Sequence, residues 1–207
     1  MNDMLSGFRH RFEPGADTDR PLLLLHGTGG DENDLLPLGR TVAPEAALLS
    51  PRGQVLENGS PRFFRRLAEG VFDEADLRRR AAELAAFVTA ARERYGIAQP
   101  VALGFSNGAN IAAALLLLHP GTLAGAVLLR AMAPLAKPPS LNLSDTRTLI
   151  LSGAMDPIVP VENAARLAHQ LAAAGANVDH RTLPASHNLT QADVSLATAW
   201  LKTMRAT

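Results

Sequence analysis

The residues best placed to do chemistry form GxSxG at Gly104 to Gly108, inside the run VALGFSNGAN. An apolar run precedes Ser106 and a helical pattern follows it, the setting of a nucleophilic serine on a sharp strand-to-helix turn. Such a serine sits in a strained backbone conformation, and the residues two to either side must be small so that neighbouring chains can pass. Gly104 and Gly108 meet that demand. The turn would raise the Ser106 hydroxyl above a sheet and aim the N–H groups and dipole of the next helix at the reacting centre. A five-residue match arises readily by chance in a chain rich in glycine and alanine, and without partners Ser106 would be no more than a tight turn.

A serine hydroxyl is a feeble nucleophile until a base takes its proton, and the base is held in place by an acid. With this kind of turn the chain order is serine, acid, histidine. The acids downstream are Asp145, Asp156, Glu162, Asp179 and Asp193, and the histidines are His119, His169, His180 and His187. Asp193 follows Thr190 by three residues and reads as a helix-capping residue. Glu162 and His169 fall within a helical pattern, and Asp179 and His180 within a strand, where solvated or core positions are the default. Asp156 ends the run LILSGAMD and precedes Pro157, which disfavours helix and puts the carboxylate on a loop beyond a strand's carboxyl end. His187 occupies the polar loop PASHNLT between the last strand and the last helix, where it can reach over the strand ends. Asp156 is therefore the expected acid and His187 the expected base; alone, they would read as a turn-stabilising aspartate and an exposed loop histidine.

Displacing an acyl group puts negative charge on the carbonyl oxygen, and that charge must meet preorganised donors. The segment LLLLHGTGGDEN supplies them, leaving an early strand at Leu25 and turning through His26, Gly27, Thr28, Gly29 and Gly30. The backbone N–H groups of Thr28 and Asn107 are the expected pair. A glycine-rich turn of this kind could hold phosphate instead, but there is no GxGxxG and no Walker lysine. His26 reads as a structural hydrogen-bonding residue of the turn.

These groups need a scaffold, and the pattern supplies one. Short apolar runs at Pro21–Leu25, Ala47–Leu49, Val101–Phe105, Ala124–Leu129, Leu149–Leu151 and Val178–Leu183 read as buried strands. Amphipathic stretches alternate with them, the clearest over Asp73–Tyr95 with Leu77, Ala81, Leu84, Val88 and Ala91 on one face, Asp73 as cap and Gly96 as stop. Further helices are expected near 107–118, 161–174 and 191–204. The alternation predicts a mostly parallel sheet with helices on both faces, in one domain over 1–207. Ser6–Glu13 is a candidate antiparallel edge strand, and Pro51–Phe72 reads as one long loop with turn signals at Gly53, Asn58-Gly59 and Pro61.

Composition narrows the class further. The 207 residues carry 20 lysines and arginines against 20 aspartates and glutamates, so nothing draws the chain as a whole to nucleic acid or anionic lipid. There is no cysteine, which removes thiol nucleophiles, thiolate metal sites and disulfides. The amino terminus lacks the apolar run of a secretory signal and no apolar run is long enough to span a bilayer, so a cytoplasmic protein without a membrane partner is expected, as monomer or homodimer.

Taken together, LLHGTGGDENDL, SPRGQVLENGSPRFFRR, GFSNGANIA, GAVLLR, DPIVPVENA and SHNLT make the chain resemble the phospholipase/carboxylesterase family of α/β-hydrolases, which includes acyl-protein thioesterases. The RGxxxENGxPRFFRR stretch is most similar to bacterial carboxylesterases grouped with hydroquinone-resistance hydrolases. The resemblance covers nearly the whole chain. It implies the α/β-hydrolase fold with little or no cap domain and no metal or cofactor. It also implies Ser106, Asp156 and His187 as triad, with Thr28 and Asn107 as oxyanion donors. Ser186 stands where the family usually has glycine, and Ala131 where proline is common; the first bears on the loop carrying His187, the second on the pocket wall.

The expected activity is hydrolysis of small carboxylic esters through an acyl-enzyme. Thioesterase, lysophospholipase or carbon–carbon cleavage would use the same residues, and a non-catalytic binding protein could keep the fold. Phe63, Phe64, Phe72 and Met132 are candidates for an apolar substrate pocket, with core packing as the alternative for each. Arg62, Arg65 and Arg66 are expected to be solvated, although one of them could meet an anionic substrate group.

Overall fold

Continuous apolar runs demand burial on both faces, and the computed structural model, which describes residues 3–204, satisfies this with one eight-stranded sheet. In chain order the elements are β1 (Asp3–Leu5), β2 (Phe8–Glu13), β3 (Asp17–Leu25), α1 (Leu36–Val42), β4 (Ala46–Pro51), β5 (Val55–Glu57), β6 (Ser60–Arg62), β7 (Arg66–Ala68) and β8 (Val71–Phe72). They continue with α2 (Glu74–Tyr95), β9 (Val101–Phe105), α3 (Asn107–Leu118), β10 (Gly125–Leu129), β11 (Arg147–Gly153), α4 (Val161–Ala173), β12 (Asn177–Leu183) and α5 (Gln191–Thr203). The sheet runs β1-β2-β4-β3-β9-β10-β11-β12, parallel from β4 to β12, with β1 and β2 antiparallel at one edge. The expected antiparallel strand is present from Phe8 onward, after a turn at Ser6 and Gly7, but it is not the edge: β1 pairs outside it and takes that place.

Alternate residues of each strand feed opposite layers. Leu23, Leu25, Leu49, Ala102, Leu128 and Ile150 pack with α2, α3 and α4, while Leu22, Leu24, Leu48, Leu103, Val127 and Leu149 pack with α1 and α5. Each leucine so buried contributes roughly 2 kcal/mol, which fixes both layers against the sheet. Helix α2 buries the predicted Leu77, Ala81, Leu84, Val88 and Ala91. It starts on the Asp73 carboxylate, which accepts from the Asp76 N–H, and ends on left-handed Gly96. Helix α3 lies almost entirely inside, with Asn107 through Leu117 buried.

Two features depart from the sequence reading. Helix α1 was not anticipated, because Pro37 and Gly39 break up its short pattern; it buries Leu36, Gly39 and Val42. The 51–72 segment, expected as one loop, continues β4 to Pro51 and then folds into two small antiparallel hairpins, β5–β6 and β7–β8. Asn58 (φ 51°) and Gly59 (φ 82°) supply the left-handed pair that a two-residue hairpin turn takes. No helix of the described residues is long and apolar enough to cross a membrane.

Candidate active site

The geometry begins with the turn at Ser106. Ser106 has φ 52° and ψ −114°, a left-handed conformation that costs a serine on the order of 1–3 kcal/mol. The surroundings enforce it: the Ser106 N–H donates to the Leu129 carbonyl at 2.8 Å, continuing the sheet ladder. A Cβ on Gly104 would lie 2.7 Å from the Gly108 carbonyl oxygen, and one on Gly108 would collide with the Leu25 carbonyl. Both glycines are therefore required by backbone packed against backbone.

Ser106, Asp156 and His187 follow the carboxyl ends of β9, β11 and β12, and the fold brings the three together. His187 Nε2 lies 3.0 Å from Ser106 Oγ, and Nδ1 lies 2.9 Å from Asp156 Oδ2. An ionised carboxylate can only accept, so Nδ1 carries the proton and Nε2 is left to accept from the serine hydroxyl. The other Asp156 oxygen accepts from the N–H groups of Ile158 at 2.8 Å and Val159 at 3.0 Å. The Asp156 side chain is fully buried, so these bonds fix its direction as well as replacing water.

The loop carrying His187 is held by a residue the sequence reading passed over. Arg130, wholly buried and at φ 56°, donates to the Ser186 carbonyl at 2.9 Å and the Asn188 carbonyl at 3.1 Å, one on each side of His187. Its remaining donors engage Asp193 Oδ1 and Oδ2 at 2.7 and 2.9 Å and the Leu151 carbonyl at 3.2 Å. Asp193 in turn forms the expected capping box with Thr190 at the start of α5. Burial alone would raise the Asp193 carboxyl, but hydrogen bonds from Arg130 and Thr190 outweigh it and hold the group below the usual aspartate value. The available signal was an arginine closing the otherwise apolar run GAVLLR. Since Ser186 contributes its carbonyl, its side chain is not what Arg130 reads; Ala131 is buried in the core and does not line the cavity.

Thr28 and Asn107 face the same cavity, and among the described residues neither backbone N–H donates to a protein acceptor. The segment after β4 braces them. Gly53 N–H donates to His26 Nε2 at 2.9 Å, which leaves the His26 Nδ1 proton for the Gly27 carbonyl at 2.7 Å. Burial keeps His26 below the usual histidine value and so neutral, the structural role expected of it. Gly29 N–H donates to the Pro61 carbonyl at 3.0 Å, Arg62 Nη1 to Thr28 Oγ1 at 2.7 Å, and Phe63 N–H to Asn107 Oδ1 at 2.7 Å.

The cavity at Ser106 has a volume of about 300 Å³, and Phe72, Met132 and Val159 supply its apolar wall. Two of the four pocket candidates are thus in place, and two are not. Phe63 and Phe64 are core residues: Phe63 packs on His26 with ring centroids 4.7 Å apart, and Phe64 meets Phe72 edge-on at 5.1 Å from within the core. Arg62 also corrects the expectation of a solvated side chain, being only 3% exposed, and Asn110, which the sequence reading did not single out, fixes the Met132 N–H through its Oδ1 at 2.7 Å. Among the described residues no group of three or more histidine, aspartate or glutamate side chains is arranged to hold a metal ion.

Comparison with known proteins gives a consistent answer. The phospholipase/carboxylesterase family model matches residues 12–205. A Bacillus subtilis (strain 168) protein provisionally named hydrolase MhqD is 43% identical over 196 residues, covering 94% of this chain and 98% of its own. The crystal structure of a Bacillus cereus carboxylesterase is similar with a TM-score of 0.92 at 46% identity, covering 95% of this chain and 94% of that one. A Mesorhizobium loti carboxylesterase structure has a TM-score of 0.91 at 35% identity, covering 97% and 98%.

Proposed function

The chain belongs to the phospholipase/carboxylesterase family of α/β-hydrolases, and from that premise we propose that it hydrolyses small carboxylic esters through an acyl-enzyme on Ser106. The observation that carries this reading is His187, which stands between the Ser106 hydroxyl and the buried Asp156 carboxylate at 3.0 and 2.9 Å. Ser106 Oγ attacks the ester carbonyl carbon while its proton passes to His187 Nε2. Asp156 stabilises the imidazolium and keeps the ring in place. The oxyanion takes hydrogen bonds from the N–H groups of Thr28 and Asn107, each such donor being worth about 3 kcal/mol of transition-state stabilisation. Collapse of the intermediate breaks the bond to the alcohol oxygen, which takes the proton from Nε2. Water then attacks the acyl-enzyme, giving its proton to His187, and the acid leaves as Ser106 regains the proton.

The cavity's modest size favours a short acyl group over a long lipid chain, so a small ester fits better than a lysophospholipid. Initial rates with short-chain 4-nitrophenyl esters test the proposal. Ser106→Ala is expected to keep its far-ultraviolet circular dichroism while turnover falls by at least about 10⁴-fold. Full turnover by Ser106→Ala would reject the mechanism.

A further inference from the structure

Arg62 is withdrawn from water yet is not fully used by the protein. Its Nη1 holds Thr28 Oγ1 at 2.7 Å, and its Nε faces the Phe64 carbonyl and Glu57 Oε2, each at 3.3 Å. Among the described residues Nη2 has no partner, and it is not one of the buried side-chain atoms sealed off without one. Only 3% of the residue is exposed, and Arg62 lines the Ser106 cavity.

The surrounding charges leave that cation incompletely neutralised. Arg66 donates through Nε and Nη2 to Glu57 Oε1 at 2.9 and 2.6 Å, so two guanidinium groups share one carboxylate. Arg66 lines the cavity beside Arg62, whereas Glu57 does not. Opposing them on the lining is Glu69, which is exposed and therefore screened by water. A desolvated guanidinium with spare donors attracts an acceptor more strongly than one at the surface, and a carboxylate fits its planar fork.

We propose that the preferred substrates are esters that carry a free carboxylate, such as half-esters of short dicarboxylic acids, with the carboxylate bound at Arg62 Nη2 while the ester carbonyl meets Ser106. This rests on the ester-hydrolase reading above and deepens it by naming the substrate class. The same Arg62 donates to the residue whose N–H faces the developing oxyanion, so binding a carboxylate there also steadies Thr28.

Monomethyl succinate and methyl butyrate differ chiefly in one carboxylate, and the ratio of their kcat/KM values at neutral pH reads the inference directly. Wild type is expected to favour monomethyl succinate on the order of tenfold. Arg62→Met lowers both rates because Thr28 loses its partner, but the ratio collapses to about one. Glu69→Gln raises the ratio by removing the opposing charge, and Arg66→Gln lowers it; these two partly exposed sites decide the matter if Arg62→Met does not fold. A wild-type ratio of one or below, or ratios indifferent to Arg62 and Glu69, would overturn the inference. Loss of methyl butyrate hydrolysis in Ser106→Ala keeps the two readings apart. If butyrate turnover depends on Ser106 but succinate is not preferred, only the carboxylate site fails.

Discussion

The turn at 104–108, proposed to carry the nucleophile, and the turn at 26–30, proposed to carry an oxyanion donor, pack side by side and line one cavity, yet they are held mainly by different forces. The nucleophile turn is fixed by backbone against backbone, with no room for a Cβ at Gly104 or Gly108 and Ser106 forced to positive φ. The 26–30 turn is fixed by polar contacts from a distant segment, through Gly53, Pro61 and Arg62, and the same segment adds one polar contact to the other turn, from the Phe63 N–H to Asn107 Oδ1. Steric fixation tolerates no added atom, whereas polar fixation can be edited one hydrogen bond at a time.

This contrast can be broken or sharpened by substitution. The largest effect is expected at Gly108→Ala, where the new methyl group meets the Leu25 carbonyl and the chain should fail to give a cooperative thermal transition; a folded, active variant would show that steric fixation is overstated. Next is Arg130→Met, which strands the Asp193 carboxylate in the interior and should cost about 3–5 kcal/mol in urea unfolding. It should also slow turnover, because His187 loses the carbonyl contacts on either side. The Asp193 value is depressed on folding, so its contribution to stability is present above about pH 3.9, the unfolded value, and is lost as pH falls through the lower folded value. Asp193→Asn should therefore flatten the acid limb of the stability curve measured by circular dichroism.

Thr28→Val keeps the shape of the oxyanion turn but leaves Arg62 Nη1 without its acceptor. Here the expectation is a cost of about 1–2 kcal/mol, with a several-fold drop in kcat. An unchanged kcat would mean that the 51–66 contacts do not tune the oxyanion turn. The smallest effect is expected at Leu67→Ser on the β7–β8 hairpin, where the side chain is 72% exposed and stability should change by less than about 0.5 kcal/mol.

The same contrast explains what could be read from sequence. Ser106, Asp156 and His187 are legible because each sits at a chain position that the parallel sheet dictates, just past a strand end, with a local marker in GxSxG, Asp-Pro or a polar loop. The strands and α2 are legible because burial and caps leave a periodic trace. The 51–72 segment is not, since its conformation depends on partners 27 to 44 residues away, as His26–Gly53 and Phe63–Asn107 show. For Phe63 and Phe64 residue type left pocket and core packing both open, and packing takes both into the core. Arg130 escaped, and Arg62 was expected in solvent, because a buried guanidinium declares itself only through the hydroxyl, carbonyl and carboxylate groups that the fold gathers around it.

Intact-protein mass spectrometry after treatment with a fluorophosphonate tests the central claim most directly. One adduct on wild type, located at Ser106 by peptide sequencing and strongly slowed in His187→Ala, is the predicted result. Modification at another residue, or labelling of Ser106→Ala at the wild-type rate, would contradict it.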